Sequence, residues 1–306
     1  MMNKMFLFAS VIFMVTTSFS CTMDNSYSDD QDLQVLHEKT FQINQGKTLK
    51  LDASSGNIEI STWDKNEVYV KISGNNRAKE KTEFIFHNDE NKVEVTAKSK
   101  SSFFGWNTGI KLKFEIKVPK NFNPETHTSG GNIKLEGLTG NPNLKTSGGN
   151  VYVRNSSGNI RTNTSGGEIR VDNVSGNMKF ATSGGNISAN NFNGDFDAHT
   201  SGGNIKLTGN DSKIYAETSG GDIRLDYKGQ NKGIELNTSG GDIEISLSSD
   251  FNAAAKLSST GGRISCDFKG NNAVKISSSR FEADINNGGN PLYAKTSGGD
   301  IKVSKR

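Results

Sequence analysis

The residues of this 306-residue chain that are best suited to catalysis or metal binding are its four histidines and two cysteines. His37, His87, His127 and His199 are scattered, and none belongs to a His-Glu-x-x-His zinc motif. The cysteines are not closely spaced, and no nucleophile elbow occurs. The sequence therefore predicts no enzyme, no metal site and no cofactor.

Calcium binding is the most specific alternative to the absence of a metal site, because Gly-Gly pairs and Asp recur in calcium-binding β-rolls. Those rolls repeat Gly-Gly-x-Gly-x-Asp with a nine-residue period, whereas here Gly-Gly is followed directly by Asn, Asp or Glu in most repeats. We expect these side chains to form a ladder at a corner, where they satisfy turn amides. The ladder residues are Asn132, Asn150, Asn186, Asn204, Asp222, Asp242 and Asp300. If calcium binds, we expect it at Asp222 and Asp242.

A sequence repeat places the ladder residues at regular intervals along the chain. Thr-Ser-Gly-Gly begins at Thr128, Thr146, Thr164, Thr182, Thr200, Thr218, Thr238 and Thr296, and the first five intervals are 18 residues long. Polar and aliphatic residues alternate after each Gly-Gly, as in Asn204-Ile205-Lys206-Leu207, and again before each Thr. Such alternation is typical of strands with one buried face, and a short fixed period indicates stacked repeats. The predicted fold is therefore an all-β solenoid, a flattened β-helix with 18-residue rungs.

Three finer expectations concern the inside of this solenoid. The Thr of each repeat should point inward, where its hydroxyl can hydrogen-bond from one rung to the next. Glycines of the Ser-Gly-Gly corner should supply positive φ and let successive backbones approach closely. Cys266 takes an inward position that other rungs fill with Leu or Val, so we expect a buried thiol without a disulfide.

The start of the chain predicts export. Residues 1–20 contain one Lys and then an apolar run too short to cross a bilayer, as in a signal peptide. Ser18-Phe19-Ser20-Cys21 resembles a lipobox, so Cys21 is predicted to carry a lipid that anchors the protein in the membrane. The alternative is ordinary cleavage that leaves Cys21 as an incidental thiol. We expect an outer-membrane lipoprotein that faces the cell surface or the periplasm.

Three segments follow the signal peptide. Residues 21–34 are polar and acidic, which suits a flexible tether. Residues 35–125 are predicted to form a β-rich cap with a first rung near Leu49 to Ile60, and a separate small sandwich is the alternative. Residues 126–306 are predicted to form the β-solenoid repeats.

One outward position carries mostly basic residues when the rungs are aligned. It holds Lys134, Tyr152, Arg170, Lys206 and Arg224. Charges stacked at strand spacing form a continuous stripe that suits an anionic polysaccharide or glycan. The alternative is a solvated face whose Lys and Arg oppose aggregation.

A second candidate contact is aromatic. Phe103, Phe104 and Trp106 lie close together and are flanked by lysines, at a predicted hairpin tip. This composition suits a lipid headgroup layer or a partner protein. The alternative is that these side chains fold back and close the cap end of the solenoid.

Charge and the chain end limit the class of partner. A formal net charge of +3 indicates no nucleic acid ligand. The segment Ile301 to Arg306 reads as a regular rung with no cap after it, whose Lys and Arg oppose pairing of exposed edges. We therefore expect a monomer, with an end-to-end dimer as the alternative.

The chain also resembles a known family. Ser55 to Ile60, Thr62 to Asp64 and Glu67 to Val70, followed by repeated Thr-Ser-Gly-Gly-Asn/Asp-Ile, look like the bacterial "putative adhesin" domain of unknown function, over residues 40–306. The resemblance implies an all-β solenoid on envelope or surface proteins, often lipoproteins, and it implies no catalytic residues.

The favoured function is an adhesin-like module that binds surface carbohydrate or protein. A structural envelope scaffold that organises partner proteins is the alternative. An enzyme acting on polysaccharide is less favoured, because uniform 18-residue turns leave no insertion from which to build a pocket.

Overall fold

Almost every regular element of the molecule is a strand. The computed structural model describes residues 33–100 and 109–306, and these contain 26 strands and one short helix. Aliphatic residues are buried and the polar residues between them face outward, as where exposed Lys206 separates buried Ile205 and Leu207. The predicted all-β solenoid is confirmed.

The elements follow the chain in three groups. The N-terminal group is β1 (Gln34–Gln42), β2 (Thr48–Ala53), β3 (Asn57–Trp63), β4 (Glu67–Gly74), α1 (Asn76–Lys81), β5 (Thr82–Asn88), β6 (Lys92–Ser99) and β7 (Leu112–Pro119). The repeats form β8 (Asn123–Thr128), β9 (Ile133–Glu136), β10 (Thr139–Gly140), β11 (Asn143–Thr146), β12 (Val151–Asn163), β13 (Ile169–Ala181), β14 (Ile187–Asn193), β15 (Phe196–His199), β16 (Ile205–Asn210), β17 (Ile214–Thr218), β18 (Ile223–Lys228), β19 (Ile234–Thr238) and β20 (Ile243–Leu247). The C-terminal group is β21 (Ala253–Ser259), β22 (Ile264–Cys266), β23 (Gly270–Ser277), β24 (Arg280–Ile285), β25 (Pro291–Thr296) and β26 (Ile301–Lys305).

Two stacks of parallel strands enclose the hydrophobic core. The Thr stack contains the strands that lead to each Thr-Ser-Gly-Gly corner, in the spatial order β6, β2, β8, β11, the second halves of β12 and β13, β15, β17, β19, β25 and β21. The Gly-Gly stack contains the strands that follow each corner, in the order β7, β3, β9, the first halves of β12 and β13, β14, β16, β18, β20, β26 and β22. Residues 18 apart are in register, as Val151 and Ile169 show.

The Thr of each repeat points inward, as predicted. Thr164 is 1% exposed, and its Oγ1 donates to the carbonyl oxygen of Gly149 at 2.8 Å while accepting from the amide of Gly167 at 3.2 Å. The same pair of bonds recurs at Thr146, Thr182, Thr200, Thr218, Thr238 and Thr296. Each hydroxyl therefore joins two rungs through their backbones.

The glycines of this corner serve close approach and not positive φ. A Cβ on Gly167 would lie 1.9 Å from the carbonyl oxygen of Gly149, so only glycine fits there. Neither corner glycine has positive φ, and that part of the prediction is wrong. Positive φ occurs instead at another corner of each rung, as at Gly158 and Gly176, where the backbone enters the next strand of the Thr stack.

The N-terminal part joins the solenoid out of chain order. The predicted first rung, β2 and β3, pairs in parallel with β8 and β9 on one side and with β6 and β7 on the other. Three antiparallel strands lie beyond it: β5 pairs with β6, β4 pairs with β7, and β1 pairs with β4. The rung formed by β2 and β3 comes first in the sequence, but it is the second rung of the stack, because the rung formed by β6 and β7 lies outside it.

The C-terminal strands show the same inversion, which corrects the prediction of an uncapped last rung. β26 lies between β20 and β22, and β25 lies between β19 and β21. The antiparallel strands β24 and β23 extend the end of the Thr stack beyond β21. Residues 301–306 are therefore an internal rung.

Cys266 is only half-buried, although its inward position is confirmed by its register with Val303. Its strand, β22, is the outermost strand of the Gly-Gly stack at this end, so no further rung within residues 33–100 and 109–306 covers it. Burial still raises the pKa of the Cys266 thiol. The thiol is free in the part of the chain that the structure describes.

Candidate functional site

The predicted basic stripe is contiguous on the outer face of the Gly-Gly stack. Lys134 pairs in register with Tyr152, Tyr152 with Arg170, and Lys206 with Arg224. Ser188 is the small residue between Arg170 and Lys206. At about 4.8 Å between neighbouring strands, the five intervals from Lys134 to Arg224 extend about 24 Å.

The charges of the stripe are unevenly neutralised. Arg224 forms an ion pair with Glu244, and Lys134 Nζ lies 3.9 Å from Glu136 Oε2. Within residues 33–100 and 109–306, Arg170 and Lys206 have no ion-pair partner, and both side chains are exposed. The middle of the stripe therefore presents free positive charge to solvent.

A basic residue that the sequence analysis left out extends the stripe. Lys302 of β26 is in register with Glu244, because the last repeat is inserted beside β20. Lys206, Arg224 and Lys302 line a groove of about 470 Å³. The repeat alignment contained this signal, since Lys302 follows its Gly-Gly at the same distance as Lys206. The sequence does not indicate that Lys302 lies beside Glu244.

The predicted corner ladder lies beside the stripe and is confirmed. Asn204 Oδ1 accepts from the amide of Asp222 at 2.8 Å, Asp222 Oδ1 accepts from Asp242, and Asp242 Oδ1 accepts from Asp300. Glu168 interrupts the series, and the ladder resumes at Asn186. Among the described residues, no group of three or more His, Cys, Asp or Glu is placed to hold a metal ion.

The outer face of the Thr stack carries a second groove, which the sequence analysis missed. Its volume is about 550 Å³. Arg161, Lys179, Asp197 and Tyr215 follow one another in register across its floor. The sequence contains a signal for this row, since each of its four residues lies three positions before a Thr of the repeat.

Two aromatic rings form one side of this groove. The rings of His199 and Tyr215 lie 5.2 Å apart between centroids. Tyr215 OH donates to Glu217 Oε2 at 2.9 Å, and the same oxygen lies 3.4 Å from His199 Nδ1. Partial burial, and then this hydrogen bond, raise the pKa of Tyr215. Glu217 therefore fixes both rings.

Charges of both signs line the rest of the groove. Lys179 Nζ lies 3.0 Å from Asp197 Oδ2, and His199 Nε2 lies 2.6 Å from Asp197 Oδ1. That second contact is not aligned for hydrogen bonding, and Asp197 Oδ1 is buried without a donor. Arg161 and Lys213 have no ion-pair partner within the described ranges. His127 lies on the same row as His199, four rungs away.

Two predicted contacts lie outside the described residues. Cys21 precedes residue 33, and Phe103, Phe104 and Trp106 fall within 101–108. Both remain predictions. None of the helices in the described ranges has the length and apolar character required to cross a bilayer.

Two solved structures of low sequence identity are similar to this chain. A "putative lipid binding protein" from Parabacteroides distasonis ATCC 8503 is 16% identical, with 90% of this chain and 98% of that chain covered and a TM-score of 0.41. A "putative adhesin" from Bacteroides fragilis NCTC 9343 is 12% identical, with 90% and 98% covered and a TM-score of 0.34. No curated protein matches. The Toastrack DUF4097 model matches residues 46–304, in agreement with the resemblance seen in the sequence. The chain belongs to the Toastrack DUF4097 family.

Proposed function

We propose that this protein is an exported, adhesin-like module that binds surface carbohydrate or protein through the basic stripe of its Gly-Gly stack. The observation that carries the proposal is the exposed, unneutralised pair Arg170 and Lys206 at the centre of a row that includes Tyr152. A cation that already has a carboxylate partner gains little from a ligand, whereas a free one gains a new ion pair. The centre of the stripe is therefore the strongest attachment point.

The shape of the stripe favours a long ligand with repeated negative charges. Strands hold its cations at regular spacing on a flat surface, so each contact is weak alone and the contacts add along a polymer. Small residues beside Arg170, such as Ser188, leave room for a bulky backbone to lie against the sheet. Acidic polysaccharides have this combination of length and regular charge.

The N-terminal residues support a location on the envelope. The apolar run of residues 5–15, Cys21 and the polar stretch to residue 34 fit a lipid anchor followed by a tether. Protease shaving of intact and lysed cells tests which side of the membrane the solenoid occupies. A Cys21→Ser variant should leave the membrane fraction if the lipid is the anchor, and unchanged fractionation would contradict lipidation.

The binding experiment compares two double variants with equal charge change. Arg170→Gln/Lys206→Gln removes the free centre of the stripe, and Lys145→Gln/Lys295→Gln removes two exposed lysines from the Thr stack. We expect wild-type protein to be retained on immobilised alginate more than on dextran, in a salt-sensitive manner. The stripe variant should lose most of this retention and the control should keep it. Equal retention of both variants, or no preference for alginate, would argue against the stripe.

A structural scaffold is the second candidate, and one observation favours it. Among the described residues, strand β23 is paired only with β24, and its side chains Val274 and Ile276 are 78% and 57% exposed. Exposed apolar side chains on an edge strand are typical of protein contacts. If Val274→Lys/Ile276→Lys abolishes recovery of a cross-linked partner while the stripe variant does not, scaffolding is the better description.

A further inference from the structure

We infer that the groove on the Thr stack is a separate binding site for a short acidic oligosaccharide, formed by Arg161, Lys179, Asp197, His199, Lys213 and Tyr215. This site lies on a different stack from the basic stripe and does not depend on it. A volume of about 550 Å³ is large enough for several pyranose rings.

The aromatic side of the groove suits the apolar face of a sugar ring. Tyr215 and His199 are both half-buried, and their rings are held by Glu217 from the neighbouring position. A ring that is already fixed loses little conformational freedom when a ligand packs against it. The C–H face of a pyranose can therefore pack on Tyr215 while its hydroxyls remain free for polar contacts.

The two ends of the groove supply the charge selectivity. Arg161 and Lys213 are separated by three rungs, about 14 Å along the stack at the usual strand spacing, and by two residues along the strand. Both are exposed and lack an ion-pair partner among the residues that the structure describes. Between them, Lys179 is already paired with Asp197. Free cations at both ends of a short groove suit a chain of two or three units that carries carboxylates.

An extended peptide fits this groove less well. An extended peptide binds by adding to an unpaired strand edge, but β12, β13, β15 and β17 are hydrogen-bonded on both sides in the Thr stack. The mixture of amide, acid, base and aromatic ring matches the hydroxyls and carboxylates of a sugar acid.

Titration with tri-galacturonate, with maltotriose as the neutral comparison, tests the inference. We expect saturable tri-galacturonate binding by the wild type that is at least tenfold weaker in Arg161→Gln/Lys213→Gln and in Tyr215→Ala. The stripe variant Arg170→Gln/Lys206→Gln should bind tri-galacturonate like the wild type. A thermal melt of each variant checks that the solenoid is folded.

The outcomes separate this inference from the proposed function. Loss of alginate retention in the stripe variant with normal tri-galacturonate binding supports both sites. Absence of tri-galacturonate binding in folded wild type, or equal binding by the groove variants, overturns the groove alone. Maltotriose binding as tight as tri-galacturonate binding would show that Arg161 and Lys213 do not select charge, which also overturns the inference.

Discussion

Thr164 Oγ1 donates a 2.8 Å hydrogen bond to the carbonyl oxygen of Gly149, which lies in the preceding rung. Thr162, two residues earlier in β12, also points inward and is 3% exposed, yet its hydroxyl has no hydrogen-bond partner among the residues that the structure describes. One rung therefore contains two buried threonines whose hydroxyls have opposite energetic effects, since a buried polar group stabilises only when it is hydrogen-bonded.

Replacing each threonine with valine should separate these effects. Thr164→Val removes two hydrogen bonds and leaves the buried carbonyl of Gly149 and amide of Gly167 without their partner, so we expect a loss of about 2 to 4 kcal/mol. Thr162→Val replaces an unsatisfied hydroxyl by a methyl group next to Leu144 and Phe180, and we expect a gain of about 1 kcal/mol. Urea unfolding measures both. Equal changes would contradict the assignment of the two hydroxyls.

The two glycines of one corner should respond very differently to alanine. A Cβ on Gly167 would lie 1.9 Å from the carbonyl oxygen of Gly149, whereas a Cβ on Gly166 would have its nearest neighbour at 3.9 Å. We expect Gly167→Ala to cost about 3 kcal/mol or more, because the backbones of two rungs must separate. Gly166→Ala should be neutral or slightly stabilising. Thermal melts of the pair provide the comparison, and a tolerated Gly167→Ala would rule out the close approach.

Much of this corner could be predicted from the sequence. The period of 18 residues and the alternation around each Thr-Ser-Gly-Gly determine which residues point inward, and Thr164 and Ile205 do so. Two causes were predicted for the Gly-Gly pair, positive φ and close backbone approach, and only the second is correct. Either cause favours glycine. A sequence does not distinguish these causes, and only the contact with the carbonyl of Gly149 identifies the second.

The order of the rungs and the groove could not be predicted in the same way. The last repeat has the same local pattern as its neighbours, so nothing local indicates that Ile301 lies between Ile243 and Ile264. The groove depends on side chains from four successive rungs, of which Arg161 and Tyr215 are the first and last on its floor. Such a site emerges only when outward rows on both stacks are compared.

Acid should weaken one contact in the N-terminal rungs. Hydrogen bonds from Lys92 and Lys50, each 2.9 Å long, lower the pKa of Glu94 from 4.5 to about 2. The folded state therefore binds this proton more weakly than the unfolded chain does. The stabilisation is complete above pH 4.5 and is lost as the pH falls from 4.5 towards 2.

Glu94→Gln isolates this contribution. The variant should be less stable than the wild type at pH 6, and the difference should shrink steadily as the pH falls from 4.5 towards 2. Glu125→Gln, on strand β8 at the other side of β2, removes the same charge from a residue without an ion pair in the described part of the chain. Urea unfolding between pH 2 and pH 6 tests this, and a Glu94→Gln difference that is independent of pH would contradict the ion-pair contribution.

Because the last repeat is inserted between β20 and β22, its core residues should be more sensitive to mutation than those of an uncapped chain end would be. Ile301 is fully buried between Ile243 and Ile264, whereas Ile264 belongs to the outermost strand β22 and is half-buried. Ile301→Asp places a charge inside the core and should cost several kcal/mol. Ile264→Asp leaves the new carboxylate able to reach water at the end of the stack and should cost clearly less. If the rungs followed chain order, Ile264 would be internal and Ile301 terminal, and Ile264→Asp would be the more damaging change. Melting temperatures of the two variants therefore decide directly between the two orders of the rungs.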